Sequence, residues 1–201
     1  ALPHAERAVA LWQEVGDEER EAQSLNTVAN ALWHMGKLDE AEAIHRDALA
    51  MRERILPVGH GDIAQSLHNI ASLRLMGGDL ETAEQMYLRA KEIEEAAEGP
   101  DSWGLATTLH TLAIVYENME RFDEALELEE RSLDVRRRVL GERHPYVALS
   151  LTTLGNIHRG MGKPELAEAP HRLAVEIGTE KWGDKHGEVW WMRRSLARTL
   201  Q

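Results

Sequence analysis

Histidines are the residues of this sequence best suited to chemistry, because the 201-residue chain has ten of them and no cysteine. Imidazole nitrogens bind metal ions and change charge near neutral pH. His68 and His110 are 42 residues apart, but no column of carboxylates at the same spacing accompanies them. We therefore expect no metal and no other cofactor. We expect instead that protonation of these histidines near pH 6 tunes the affinity for a partner.

The sequence contains no recognisable catalytic motif. We find no glycine-rich phosphate loop, no H-E-x-x-H pair, no nucleophile elbow and no kinase signature, so we predict that these residues are not an enzyme. The formal net charge of −12 disfavours binding to nucleic acids and to anionic membrane surfaces. Apolar runs are too short to span a bilayer, and we expect a cytoplasmic protein. The 18 arginines against 5 lysines indicate a GC-rich genome, which is typical of bacteria.

A repeat of 42 residues must position these side chains. Several columns keep one residue type or size through four copies without a gap, and they include Ala22, Ala64, Ala106 and Ala148; Leu25, Leu67, Leu109 and Leu151; and Ala41, Ala83, Ala125 and Ala167. An ordinary helical bundle has no reason to hold such a register. Small residues at fixed positions let two helices approach closely, so stacked helix pairs are predicted.

Each repeat is predicted to form two helices. In the first copy they cover residues 23–35 and about 37–55, with Gly36 at the turn and apolar residues at helical spacing. The resulting organisation is one domain over 1–201, namely a partial helix in 1–19, repeats at 20–61, 62–103, 104–145 and 146–187, and a terminal helix in 188–201. Pro170 falls inside the last second helix, where it should bend the helix.

The repeats resemble tetratricopeptide repeats (TPRs) of the 42-residue kind found in kinesin light chains. The resemblance is carried by residues 36–42 (GKLDEAE), 133–145 (LDVRRRVLGERHP) and 147–156 (VALSLTTLGN). It covers about residues 20–201 and implies an all-α, right-handed superhelix of antiparallel helix pairs. It also implies a scaffold for protein partners, although the repeat is specific for fold and not for one function.

The resemblance implies that a partner peptide lies in a concave groove lined by the first helices. Carried onto this sequence, the partner-binding residues are Asn26, Asn30, Trp33, His34, His68, Ser72, Leu75, Met76, His110, Ile114, Asn118, Thr152, Asn156 and Arg159. Arg159 is the only basic residue among them, which disfavours both a carboxylate clamp and a groove for acidic peptides. We predict a nearly neutral groove in which amides bond a peptide backbone. Simple solvent exposure of Asn30 and Asn156 is an equally good interpretation.

A second hypothesis makes the chain a structural or oligomerisation module of a larger signalling protein, whose kinase, NTPase or protease would lie elsewhere. Trp190 and Trp191 are adjacent on the last helix and point different ways, so at most one is well buried. The other would be a contact for a homo-oligomer. Trp182 is predicted to lie in the core and Trp103 to be exposed. His60, His144 and His186 share one column at the turns between repeats and are predicted to be structural.

Overall fold

Ten helices make up the regular structure in the computed structural model, which describes residues 2–201, with Glu98 described by its backbone alone. They are α1 (Leu2–Val15), α2 (Glu18–His34), α3 (Leu38–Ile55), α4 (Gly61–Met76), α5 (Leu80–Glu98), α6 (Trp103–Asn118), α7 (Phe122–Leu140), α8 (Pro145–Gly160), α9 (Pro164–Trp182) and α10 (Gly187–Thr199). No strand occurs within residues 2–201. The all-α prediction is therefore confirmed. None of the helices in this part of the chain combines the length and apolar character that a membrane crossing requires.

Each repeat forms the predicted helix pair. The pairs are α2 with α3 and α4 with α5 in one compact unit, which ends at Gly99, and α6 with α7 and α8 with α9 in a second unit, Pro100–Gln201. In the first unit α1 packs on α2, and in the second α10 packs on α9. The helix predicted ahead of the first repeat is thus present as α1.

The small columns are buried within the helix pairs. Ala22, Ala29, Ala41 and Ala48 are completely buried in the first unit. In the second unit Gly155 stands in the column of Ala29, and a methyl group there would overlap the His171 ring. The column is therefore small because a larger side chain would push the two helices apart.

Helix boundaries agree with the sequence prediction except at one point. The first helix of the first repeat begins at Glu18 and not at residue 23, because the Asp17 side chain caps it by accepting the Arg20 backbone N–H at 3.1 Å. The second helix ends at Ile55, as predicted. The turn between them uses Gly36 at a φ of 77°, and Glu120 occupies the equivalent turn position in the third repeat at a φ of 59°. Within residues 2–201, Glu120 is the one residue other than glycine with a positive φ.

The histidine column at the turns between repeats caps the first helices. The Nδ1 atoms of His60, His144 and His186 each accept a hydrogen bond from the backbone N–H two residues later, at 3.2, 3.2 and 3.3 Å. Each bond satisfies one of the amide groups that a helix start leaves unpaired. The structural role predicted for these three residues is confirmed.

The remaining local predictions concern Pro170, Trp182 and Trp103. Helix α9 continues through Pro170 up to Trp182, so the proline does not end the helix; the predicted bend stays a prediction. Trp182 is half-buried, packs against the core of its unit and stacks on His186 with ring centroids 5.0 Å apart. Trp103 is 37% exposed, as predicted, and contacts the Tyr146 ring edge-on.

Candidate partner-binding surface

The first unit presents one face of α2 and one face of α4 beside its core. On α2 the side chains of Val28, Ala29 and Leu32 are buried, which leaves the intervening positions toward solvent. Asn26 and Asn30 are half-buried there, and Trp33 and His34 are exposed, with their rings stacked at 5.4 Å.

The predicted residues of α4 lie on the corresponding face. His68, Ser72 and Leu75 are half-buried and Met76 is exposed. The two helices are linked directly, because the Asn69 side-chain amide donates to the Asn26 side-chain oxygen at 2.7 Å. The structure thus brings the predicted residues of the first unit onto two neighbouring first helices.

A cavity of about 100 Å³ opens between these two helices. Its lining consists of Asn30, Trp33, His45, His68, Asn69, Ser72 and Leu73. His45 comes from α3, the second helix of the first repeat, and is only 1% exposed. Sequence reasoning did not identify it as part of the site. The cavity therefore has amide, hydroxyl, imidazole and indole groups in one small volume.

The two histidines of this cavity are neutral at pH 7. Burial lowers the pKa of His45 to about 4, and the charge of Arg52 lowers it further in the same direction. Burial also lowers the pKa of His68 to about 4. The prediction that His68 is protonated near pH 6 is therefore wrong, because the low-dielectric surroundings disfavour the charged imidazole.

The hydroxyl group in the cavity is fixed by its neighbours. Ser72 Oγ lies 2.9 Å from the His68 carbonyl oxygen, to which it donates, and 2.8 Å from the Tyr87 hydroxyl. The His68 ring stands edge-on against Tyr87 with centroids 5.1 Å apart. These contacts hold one wall of the cavity in place.

A buried polar column on the second helices lies beneath the first helices, and the sequence analysis missed it. The column consists of His45, Tyr87, Glu129 and His171, spaced by 42 residues and each no more than 1% exposed. Three of them contact the first helix of their own repeat, through His68, His110 and the carbonyl of Thr152. A possible signal was present, since each member follows four residues after the invariant alanine column that begins at Ala41.

Two predicted partner-binding residues of the second unit are buried. His110 is 9% exposed, and its Nδ1 lies 2.9 Å from a carboxylate oxygen of Glu129, which is completely buried. Thr152 is also completely buried and donates its hydroxyl to the Ala148 carbonyl at 2.9 Å. Both side chains are committed to internal contacts, so the prediction that they face a partner is corrected.

The other predicted residues of the second unit lie at its surface, and their surroundings carry charge. Ile114 and Asn156 are half-buried, and the exposed Asn118 donates its amide to the Ile114 carbonyl at 2.7 Å. Arg159 is half-buried, and its Nε has no hydrogen-bond partner among the described residues. Burial raises the pKa of Glu117 to about 7, against the opposing charge of Arg159. The prediction of a nearly neutral groove therefore fits the first unit better than the second.

The tryptophan pair on α10 has one exposed member. Trp190 is 64% exposed, and the Arg194 guanidinium lies over its ring at 5.7 Å. Trp191 is half-buried and packs against the core that contains Ile177 and Met192. Of this pair, Trp190 therefore offers the larger apolar surface to another molecule.

Comparison with known protein families gives matches along most of the chain. Two family models, both described as tetratricopeptide repeat, match residues 22–62 in one case and residues 62–138 and 105–180 in the other. No curated protein is similar enough in sequence to count as a match.

Solved structures with the same fold cover nearly all of the chain. The crystal structure of BtubC (BKLC) from P. vanneervenii is 19% identical, has a TM-score of 0.83, and covers 98% of this chain and 81% of its own. A structure from Podosopora anserina, described as kinesin light chain with nearly identical TPR-like repeats, is 21% identical with a TM-score of 0.76, covering 92% of this chain and 87% of its own. A variant of that protein gives 21% identity, a TM-score of 0.77, and coverages of 92% and 86%. These likenesses show the fold of TPR solenoids.

Proposed function

This chain belongs to the tetratricopeptide repeat family, and we propose that it is a non-catalytic scaffold that binds a cytoplasmic peptide or protein segment. TPRs are a protein-interaction fold. In the proposal the exposed faces of the first helices bind the partner, with Asn30, Trp33 and Ser72 as contacts in the first unit and Asn156 and Arg159 in the second. His34, Leu75, Met76, Ile114 and Asn118 extend that surface.

One observation carries the proposal, namely the exposed indole of Trp33 beside the cavity of the first unit. Trp33 is 37% exposed, and it lines the cavity together with the neighbouring Asn30 amide. A carboxamide has two donors and an acceptor, which suits the N–H and C=O groups of a peptide backbone. Aromatic anchors next to such groups are typical of protein interfaces.

The proposal is tested by selecting peptides from a random library on the full chain and measuring their affinity for two double variants. Asn30→Ala with Asn156→Ala removes amides from the proposed surface. Asp47→Ala with Glu127→Ala removes exposed side chains from second helices and is the matched control. A lost hydrogen bond is worth about 1 kcal/mol, so the first variant should weaken binding about 25-fold and the control less than twofold. Equal affinity of both double variants would refute the proposal.

Self-association through α10 is the second candidate function, and the 64% exposure of Trp190 favours it. If the chain works through this contact, sedimentation should show an oligomer that dissociates on Trp190→Ser. The same substitution should leave binding of the selected peptides unchanged. A wild-type chain that stays monomeric at high concentration would contradict this second function.

A further inference from the structure

The cavity of the first unit has hydrogen-bonding capacity that the chain itself leaves unused. His45 is 1% exposed, yet its Nδ1 has no hydrogen-bond partner among the described residues. Asn69 uses its amide N–H for Asn26, and its side chain also lines the cavity. A buried polar atom without a partner costs about 1–3 kcal/mol, and a bound group that forms a hydrogen bond to it would recover that cost.

These atoms offer both kinds of hydrogen-bonding group. Asn30 supplies donors and an acceptor, and the Asn69 oxygen supplies an acceptor. A neutral imidazole has one nitrogen that donates and one that accepts. A complementary occupant must therefore donate and accept within the same few ångströms, as a carboxamide does.

The charge of the cavity selects against ionised occupants. None of its seven lining residues is an acid, a lysine or an arginine. The charge of the Arg52 guanidinium acts on His45 and would repel a cation. An ionised side chain would lose its water without gaining an opposite charge, which is more costly than burying a neutral polar group.

The size and shape of the cavity agree with a small planar group. A volume of about 100 Å³ corresponds to roughly three water molecules at about 30 Å³ each. Trp33 lies at one side and gives a flat apolar surface against which an amide plane can lie.

We propose that this cavity, formed by Asn30, His45 and Asn69 beside Trp33, is a specificity pocket for a glutamine or asparagine side chain of the bound partner. The inference rests on the proposed function, because it assigns a side chain of the peptide that the first helices would bind. It goes further in naming the chemistry that the pocket recognises.

The test uses five capped pentapeptides of the form Ala-Ala-X-Ala-Ala, where X is Gln, Glu, Lys, Leu or Ser. Each is titrated into the full chain while NMR records the Trp33 indole N–H and the His45 ring signals. The Gln peptide should bind most tightly and shift both signals, and the isosteric Glu peptide should bind at least tenfold more weakly. Equal affinity for Gln and Glu, tighter binding of Ser, or no shift with any peptide up to its solubility limit would overturn the inference.

Two variants separate the pocket from the rest of the surface. His45→Phe keeps a ring, which the equivalent Tyr87 shows the column accepts, and should weaken the Gln peptide about fivefold to tenfold. Asn30→Asp is isosteric and should weaken it by a similar factor, whereas Gln85→Ala, which removes an exposed amide from the second helix α5, should not. Unchanged Gln affinity in both pocket variants would refute the assignment.

The two proposals fail differently. If the affinity for library-selected peptides falls in the Asn30 and Asn156 double variant while the affinity for the Gln pentapeptide is unchanged in His45→Phe, the pocket assignment fails and the proposed function stands. If the selected peptides do not depend on the first helices, the proposed function fails, and so does the pocket as a partner subsite.

Discussion

The buried histidine of the first unit should make the protein sensitive to acid, and His45→Phe should remove part of that sensitivity. Burial holds the pKa of His45 at about 4, below its ordinary value of 6.5. The unfolded chain therefore takes up a proton between pH 6.5 and pH 4 that the folded chain does not. The folded protein therefore has its full unfolding free energy above pH 6.5, where His45 is neutral in both states. It loses part of that free energy as the pH falls from 6.5 to 4.

The magnitude follows from the two pKa values. Linkage gives a loss of up to about 1.4 kcal/mol at pH 5.5 and up to about 2.5 kcal/mol at pH 4.5, relative to pH 8. His68 has a similarly lowered pKa. Its own acid-induced loss of unfolding free energy occurs in both the wild type and His45→Phe, so it cancels when the two proteins are compared. The variant should thus gain stability relative to the wild type as the pH falls.

The assay is urea unfolding followed by circular dichroism at pH 7.5, 5.5 and 4.5 for the wild type and His45→Phe. The difference in the free energy of unfolding should change by about 2 kcal/mol in favour of the variant across this range. His4→Phe is the control, because His4 is exposed on α1 and its replacement removes no buried imidazole. A difference between wild type and His45→Phe that is the same at all three pH values would refute the reasoning.

Three further substitutions have expected outcomes of known sign. Glu120→Gly should raise the melting temperature by about 2–4 °C in a calorimetric scan, because Glu120 has a φ of 59° that costs a side chain about 1 kcal/mol. Gly155→Ala should cost about 1–3 kcal/mol of unfolding free energy, because the methyl group would overlap the His171 ring, whereas Gly61→Ala, with open space around it, should not destabilise. Glu117 should titrate near pH 7 by carbon NMR, and because its pKa is raised, stability should fall as pH rises from about 4.5 to 7. That dependence should vanish in Glu117→Gln.

The repeat made most of the fold predictable from the sequence. A column such as Ala22, Ala64, Ala106 and Ala148 reports a steric requirement that holds in every copy, since all four are completely buried. The histidines at the turns were predictable for the same reason. The start of α2 at Glu18 was missed, although Asp17 is a residue type that caps helices and α4, α6 and α8 begin at nearly the same repeat position.

The candidate site was only partly predictable, because helical spacing shows which face a residue lies on but not how deep it lies. His110 and Thr152 share a column with Asn26, yet both are buried: His110 is hydrogen-bonded to Glu129, and Thr152 donates to the Ala148 carbonyl. His45 lines the cavity but lies on a second helix, whereas the sequence predicted partner-binding residues on the first helices. Its burial and unpaired nitrogen arise only from packing in three dimensions.

The most direct test of the central claim is a map of NMR chemical-shift changes when a library-selected peptide is added to the full chain. The proposal predicts the largest changes at the Trp33 indole and at the side-chain amides of Asn30 and Asn156. The backbone amides of Asp47 and Glu127 on second helices should stay unchanged. Changes confined to those second-helix positions, or to Trp190 on α10, would contradict the claim that the first helices bind the partner.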